Sequence, residues 1–164
     1  MNPTLSLKSV NISLINIDER NIPSQNYFSY ISRIRFKNIR NIHIKLLVQA
    51  NNCGQIIGYI CSYNYNKTDG HIRIDAELDS KYTDYFNEAL FLFCNYLYTC
   101  FPIRKIYFEI CTELDNKLIA QLKKVGFKKE ACLVEDTFYN NMYCDKYIFS
   151  LDINVFFEVL ENGK

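Results

Sequence analysis

The sequence predicts an α/β domain, and three observations carry that prediction. Residues 101–151 read strand, helix, Gly-Phe, strand, hairpin, strand. Ile106, Phe108 and Ile110 alternate with Tyr107, Glu109 and Cys111, which is the period of a strand. Leu114, Leu118, Leu122 and Val125 then recur at helical spacing. Gly126 ends that helix where a left-handed residue costs little, and Phe127 follows as an apolar anchor. The second observation is that the same switch of period recurs through the first hundred residues. The third is that no repeat, low-complexity tract or linker interrupts the 164 residues, so residues 1–164 read as one domain.

Val10, Ile12 and Leu14 alternate as a first strand. The alternation slips to Ile15 and Ile17, which predicts a bulge or a strand end near Leu14. Asp18, Glu19 and Arg20 break the run, and Pro23, Ser24 and Gln25 start a helix reaching about Phe36. Ile42, Ile44, Leu46 and Val48 form the next strand, and His43 between them reads as plain surface. Asn51, Asn52, Cys53 and Gly54 make a hairpin turn into a strand over 55–64. Lys67, Thr68, Asp69 and Gly70 turn again into a strand over 71–78. A long helix over 82–100 follows, with Tyr82, Tyr85, Phe86, Ala89, Leu90, Phe93 and Leu97 on its apolar stripe. Pro102 stops it.

The net charge is +1, so no field steers the chain onto a nucleic-acid backbone or an anionic membrane. The basic residues between 33 and 40 alternate with Ile34, Phe36 and Ile39, as on a solvated helix face. No run of 18 apolar residues occurs, and the first ten residues lack the blocks of a signal peptide. The seven cysteines (Cys53, Cys61, Cys94, Cys100, Cys111, Cys132, Cys144) are odd in number and none pairs at C-x-x-C spacing. Most sit in apolar runs, so they read as buried free thiols in a reducing cytoplasm, and no metal site is expected.

The frame Val125, Gly126, Phe127 and the closing stretch Tyr143, Cys144, Asp145, Lys146, Tyr147 resemble the C-terminal half of the GNAT acyltransferase superfamily. The likeness is to its ribosomal-protein and small-molecule N-acetyltransferase branch. The resemblance implies a mixed, twisted sheet of six to seven strands flanked by helices on both faces. It also implies acetyl-CoA as acyl donor and an amine of a small molecule or peptide as acceptor. In that family a loop of the form Arg/Gln-x-x-Gly-x-Gly/Ala opens the long helix and holds the pyrophosphate on backbone N–H groups and the helix dipole.

The corresponding cofactor-binding candidates here are Lys81, Tyr82, Thr83, Asp84, Tyr85 and Phe86, joined by Asp115 or Asn116 at the next helix start. Lys81 falls on the basic position, whereas Asp84 and Phe86 replace the glycines, adding a negative charge and bulk beside the phosphates. Asp84 and Glu88 read equally as residues that stabilise a helix start capped by Ser80 or Thr83. Leu122 stands where many members carry a tyrosine acid.

Direct transfer to an amine needs a base, a polarised carbonyl and a protonated leaving thiolate. The base candidates are His71, Asp75 and Glu77, which alternate with apolar residues onto one strand face beside Arg73. Tyr139 and Tyr143 in the closing hairpin are the acid candidates. Each reads otherwise as an ordinary surface strand residue or hairpin aromatic. Two functions remain open: an acyl-CoA-dependent N-acyltransferase, and a GNAT-fold binding or regulatory module that has lost tight CoA binding. The apolar residues of 143–151 and 153–160 exceed what a monomer surface needs, which suggests a homodimer.

Overall fold

The computed structural model describes residues 6–16, 41–111, 116–139 and 141–162. Its elements are β1 (Ser6–Lys8), β2 (Ile12–Asn16), β3 (Ile42–Ala50), β4 (Ile56–Asn66), β5 (His71–Leu78), a 3-10 segment (Ser80–Tyr85), α1 (Phe86–Cys100), β6 (Lys105–Ile110), α2 (Asn116–Val125), β7 (Lys128–Tyr139), β8 (Met142–Asp152) and α3 (Ile153–Asn162). The strands form one mixed sheet in the order β1-β2-β3-β4-β5-β6-β8-β7. Among the described strands only β5 and β6 run parallel, joined through α1 as a parallel pair requires. The eighth strand is the three-residue β1, too short to leave a periodic signal in the sequence.

The strands bury one face under the helices. Ile72 and Ile74 of β5, Ile106 and Phe108 of β6, and Phe149 and Leu151 of β8 join Leu90, Phe93 and Leu97 of α1 in one buried cluster. Leu122 and Val125 of α2 and Phe156 of α3 belong to the same cluster. A smaller cluster on alternate strand positions holds Leu47, Tyr59 and Cys61, with Ile15, Ile42 and Tyr63 against it. The helix expected from Pro23 lies outside the described residues, as do Asp115 and the basic residues between 33 and 40.

Several local expectations are corrected. Val10 belongs to the β1–β2 connection and is 89% exposed. β2 carries no bulge near Leu14, because its register against β3 is continuous from Ile12 to Asn16. The slip in its pattern arises because Leu14 faces the large cluster and Ile15 the small one. The register shifts lie instead in the β3–β4 pairing, at Ile42/Ile44 and at Val48/Gln49, and Ile42 and Ile44 face opposite clusters. His43, exposed as expected, packs on Tyr65 and Phe101, with ring centres 5.1 and 5.0 Å away.

The cysteines are all unbridged, but only Cys61 and Cys94 are buried; Cys53, Cys100 and Cys132 are exposed. The apolar excess that suggested a dimer is largely consumed internally. Tyr147, Phe149, Leu151 and Phe156 are core residues, and the closing α3 lays Phe156 against Phe91 and Tyr98 of α1. Among the described residues no helix is long and apolar enough to cross a membrane.

Candidate functional site

A gap between β5 and β6 organises the site. Their parallel pairing runs from His71 opposite Lys105 to Ile74 opposite Phe108 and stops there. β5 nevertheless continues to Leu78 and β6 to Ile110. The divergence is not fraying, because each strand is still held on its far side. Leu78 pairs with Gly58 of β4, and Ile110 pairs with Tyr147 of β8.

Gly58 permits a close approach of β4 to β5. A Cβ built there would stand 2.2 Å from the Glu77 carbonyl oxygen and 2.4 Å from Leu78 Cδ2. Only glycine lets β4 approach the end of β5 that closely, and this approach lies on the side of β5 away from β6. The sequence signal was present, a glycine inside the apolar run of β4, but it became meaningful only with the register.

The segment after β5 is wound more tightly than predicted. The helix expected from residue 82 begins at Phe86, and Ser80–Tyr85 forms a 3-10 segment before it. The expected caps Ser80 and Thr83 are not used. Asp79 caps the segment instead, its carboxylate accepting the Lys81 N–H at 3.0 Å while its carbonyl accepts the Tyr82 N–H at 2.8 Å. The Phe86 N–H bonds back to the Thr83 carbonyl. Donors that a glycine-rich loop would offer an anion are therefore partly engaged within the segment.

Phe86 does not crowd the outer side of this turn. Its ring is 5% exposed and meets Phe108 edge to face at 6.4 Å, inside the core beside the last paired rung. Tyr82 stacks near Tyr85, and its hydroxyl reaches Gln55 at 3.4 Å on the β3–β4 side. Lys81 and Asp84 are exposed.

A second lysine, absent from the sequence expectations, reaches the segment from α2. Lys117 Nζ donates to Thr83 Oγ1 and lies 4.0 Å from Asp84 Oδ1. Gln121 Nε2 donates to the Thr83 carbonyl at 2.6 Å. The helical spacing of 117 and 121 puts both on one side of α2.

The sheet face turned away from α1 carries the polar residues. Arg73 of β5 forms an ion pair with Glu109 of β6, bridging the strands beside the gap. Asp75 is the first β5 residue beyond the paired stretch, and Tyr59, fully buried, donates its hydroxyl to Asp75 Oδ2 at 2.8 Å. Burial, and then the Asp75 charge, hold the Cys61 thiol well above its ordinary range. Burial, and then Glu109 and Asp75, do the same to the Tyr63 phenol. Both groups therefore remain protonated near neutrality. At the β7–β8 side, Lys146 pairs with Asp136.

The sequence candidates divide accordingly. Asp75 and Glu77 share the polar face at the gap, Asp75 opposite Cys61 and Glu77 opposite Tyr59. His71 sits on the closed rung with Lys105 and stacks edge to face on Tyr107 at 5.8 Å, roughly 13 Å along the strand from Asp75. Tyr143 is exposed on the hairpin against Phe138. Tyr139 ends β7, and Asn116 opens α2. Leu122 is fully buried. Among the described residues no cluster of three metal-ligating side chains occurs.

No family model matches the chain, and no curated protein matches it by sequence. Solved structures do match in three dimensions. A GCN5-related N-acetyltransferase from Brucella melitensis superposes with a TM-score of 0.77 at 13% identity, over 96% of this chain and 83% of that one. A spermidine N-acetyltransferase from Vibrio cholerae in complex with CoA and spermine gives 0.72 at 15% identity, over 91% and 99%. A ribosomal-protein-S5-alanine acetyltransferase from Vibrio fischeri gives 0.68 at 14% identity, over 90% and 96%. The chain has the GNAT fold.

Proposed function

We propose that residues 1–164 are one acyl-CoA-dependent N-acyltransferase domain. It would move an acetyl group from acetyl-CoA to a primary amine of a small molecule or a protein N-terminus. The observation that carries this is the gap opened where β5–β6 pairing ends, with Asp75 and Glu77 on its polar face. The neighbours named as a spermidine N-acetyltransferase and a ribosomal-protein-S5-alanine acetyltransferase share the fold and motivate the acceptor class.

The residues present fit such a donor at both ends of the site. Strand backbone at the gap suits the amide-bearing arm, since its contacts are indifferent to side-chain identity. Two lysines, Lys81 and Lys117, stand at the segment where phosphates are held in this fold, in place of the glycine cradle. Bound acetyl-CoA supplies the activated thioester; the rest is the chain's own work. Asp75 would act as the base that takes the ammonium proton, with Tyr59 fixing its carboxylate; as the amide C–N bond forms the thioester C–S bond would break, and the departing thiolate would take its proton from solvent. Arg73 and Glu109 hold the two strands in register beside it.

A second reading, a GNAT-fold binding or regulatory module, is favoured by one observation. The backbone donors of Lys81, Tyr82 and Phe86 are engaged within the chain. Incubation with acetyl-CoA and a set of amines, including spermine and an alanine-start peptide, separates the two readings by mass spectrometry. A mass gain of one acetyl group on an amine supports the enzyme. No gain on any amine, together with no thermal shift by CoA, leaves the module.

A further inference from the structure

Lys117 and Asp84 meet at the rim of the site under unusual conditions. Both are solvent-facing, with 62% and 95% of their side chains exposed, and their separation of 4.0 Å is at the limit of an ion pair. An exposed pair of this kind contributes little to stability. Yet α2 grips the same segment from two successive turns, through Lys117 to Thr83 and through Gln121 to the Thr83 carbonyl. The lysine is therefore tied to Thr83, while its charge partner lies at the edge of ion-pair distance.

We infer that Lys117 is a phosphate-binding residue and that the Asp84 carboxylate occupies the charge position a cofactor phosphate takes when bound. This rests on the acyl-CoA reading above. A phosphate offers an ammonium shorter, charge-assisted hydrogen bonds than a carboxylate at 4.0 Å. Releasing the exposed pair costs little, so the exchange is favourable. Asp84 then acts on binding mainly as a competitor for Lys117, not only as a repelling charge. The two roles predict opposite couplings. If Asp84 competes, removing it helps only when Lys117 is there to be released. If Lys117 merely screens Asp84, removing Asp84 helps more once Lys117 is gone.

The test is a four-protein calorimetric cycle with CoA: parent, Asp84→Asn, Lys117→Met and the double variant. Lys117→Met should weaken CoA about five-fold, and Asp84→Asn should tighten it about three-fold, both in the range of single exposed charge contacts. In the Lys117→Met background the Asp84→Asn gain should shrink toward none. Lys117→Arg should retain most of the affinity, and melting curves should show all variants folded. An equal or larger Asp84→Asn gain without Lys117 overturns the inference while leaving the acyl-CoA reading intact. No CoA binding by any of the proteins overturns both. Repeating the cycle with dephospho-CoA identifies the group: coupling retained assigns the pyrophosphate, and coupling lost assigns the 3′-phosphate.

Discussion

Along β5, neighbouring residues do different work. Ile72 and Ile74 are buried against the helices, where Ile106 and Phe108 of β6 meet them. Arg73 and Asp75 point to the other face, where Glu109 and Tyr59 receive them. One face stores stability in apolar burial; the other keeps charged groups at a gap. This division of labour lets the fold persist at 13–15% identity to its structural neighbours. The apolar face needs only size and period, and the gap needs only backbone, so most side chains can change.

The largest effect is expected on the apolar face. Phe108→Ala should destabilise the fold by about 3–5 kcal/mol, because it empties the contact with Phe86 and Phe127. Denaturant titration measures it, and a loss under about 1 kcal/mol would mean the cluster relaxes into the cavity. On the polar face Asp75→Asn should lower kcat about 100-fold, the lower range for a general base, while the melting temperature stays within a few degrees. A variant equally active would move the base role elsewhere, Glu77 first.

Gly58→Ala tests the link between the two faces. Its Cβ must displace backbone at Glu77, so we expect roughly 1–3 kcal/mol of lost stability together with weakened CoA binding. Loss of stability with CoA affinity unchanged would show that the close approach does not set the gap. The smallest effect lies at the hairpin. Lys146 holds the Asp136 carboxyl below its ordinary 3.8, so the pair's contribution is present above that pH and fades as pH falls through the lowered value. Asp136→Asn should therefore flatten the acid side of the melting-temperature profile, leaving the neutral region nearly unchanged.

Much of this fold was legible because its signals are periodic. The switch from Ile106, Phe108 and Ile110 to Leu118, Leu122 and Val125 gave β6 and α2, and Gly126 does take a positive φ of 106°. The start of α1 was misplaced because Tyr82 and Tyr85 keep helical spacing, whereas the local competition of Asp79 for N–H groups winds a 3-10 segment instead. The candidate site was legible only in part. Asp75 and Glu77 could be put on one face by alternation, but His71 could not be separated from them without the pairing register. Lys117 and Gly58 escaped because their meaning depends on partners 34 and 19 residues away along the chain, Thr83 and Glu77. That Phe156 of the apolar tail turns back onto α1 was not legible, because the spacing of 153–160 does not say which element it meets.

Amide hydrogen exchange with and without CoA tests the central claim most directly, because it reads the backbone where the cofactor is proposed to lie. Bound CoA should slow exchange at residues 75–78 of β5, 109–110 of β6 and the segment Ser80–Tyr85, with the closed rungs at 71–74 unchanged. Unchanged exchange at all three places under saturating CoA, or protection confined to another surface, would contradict it.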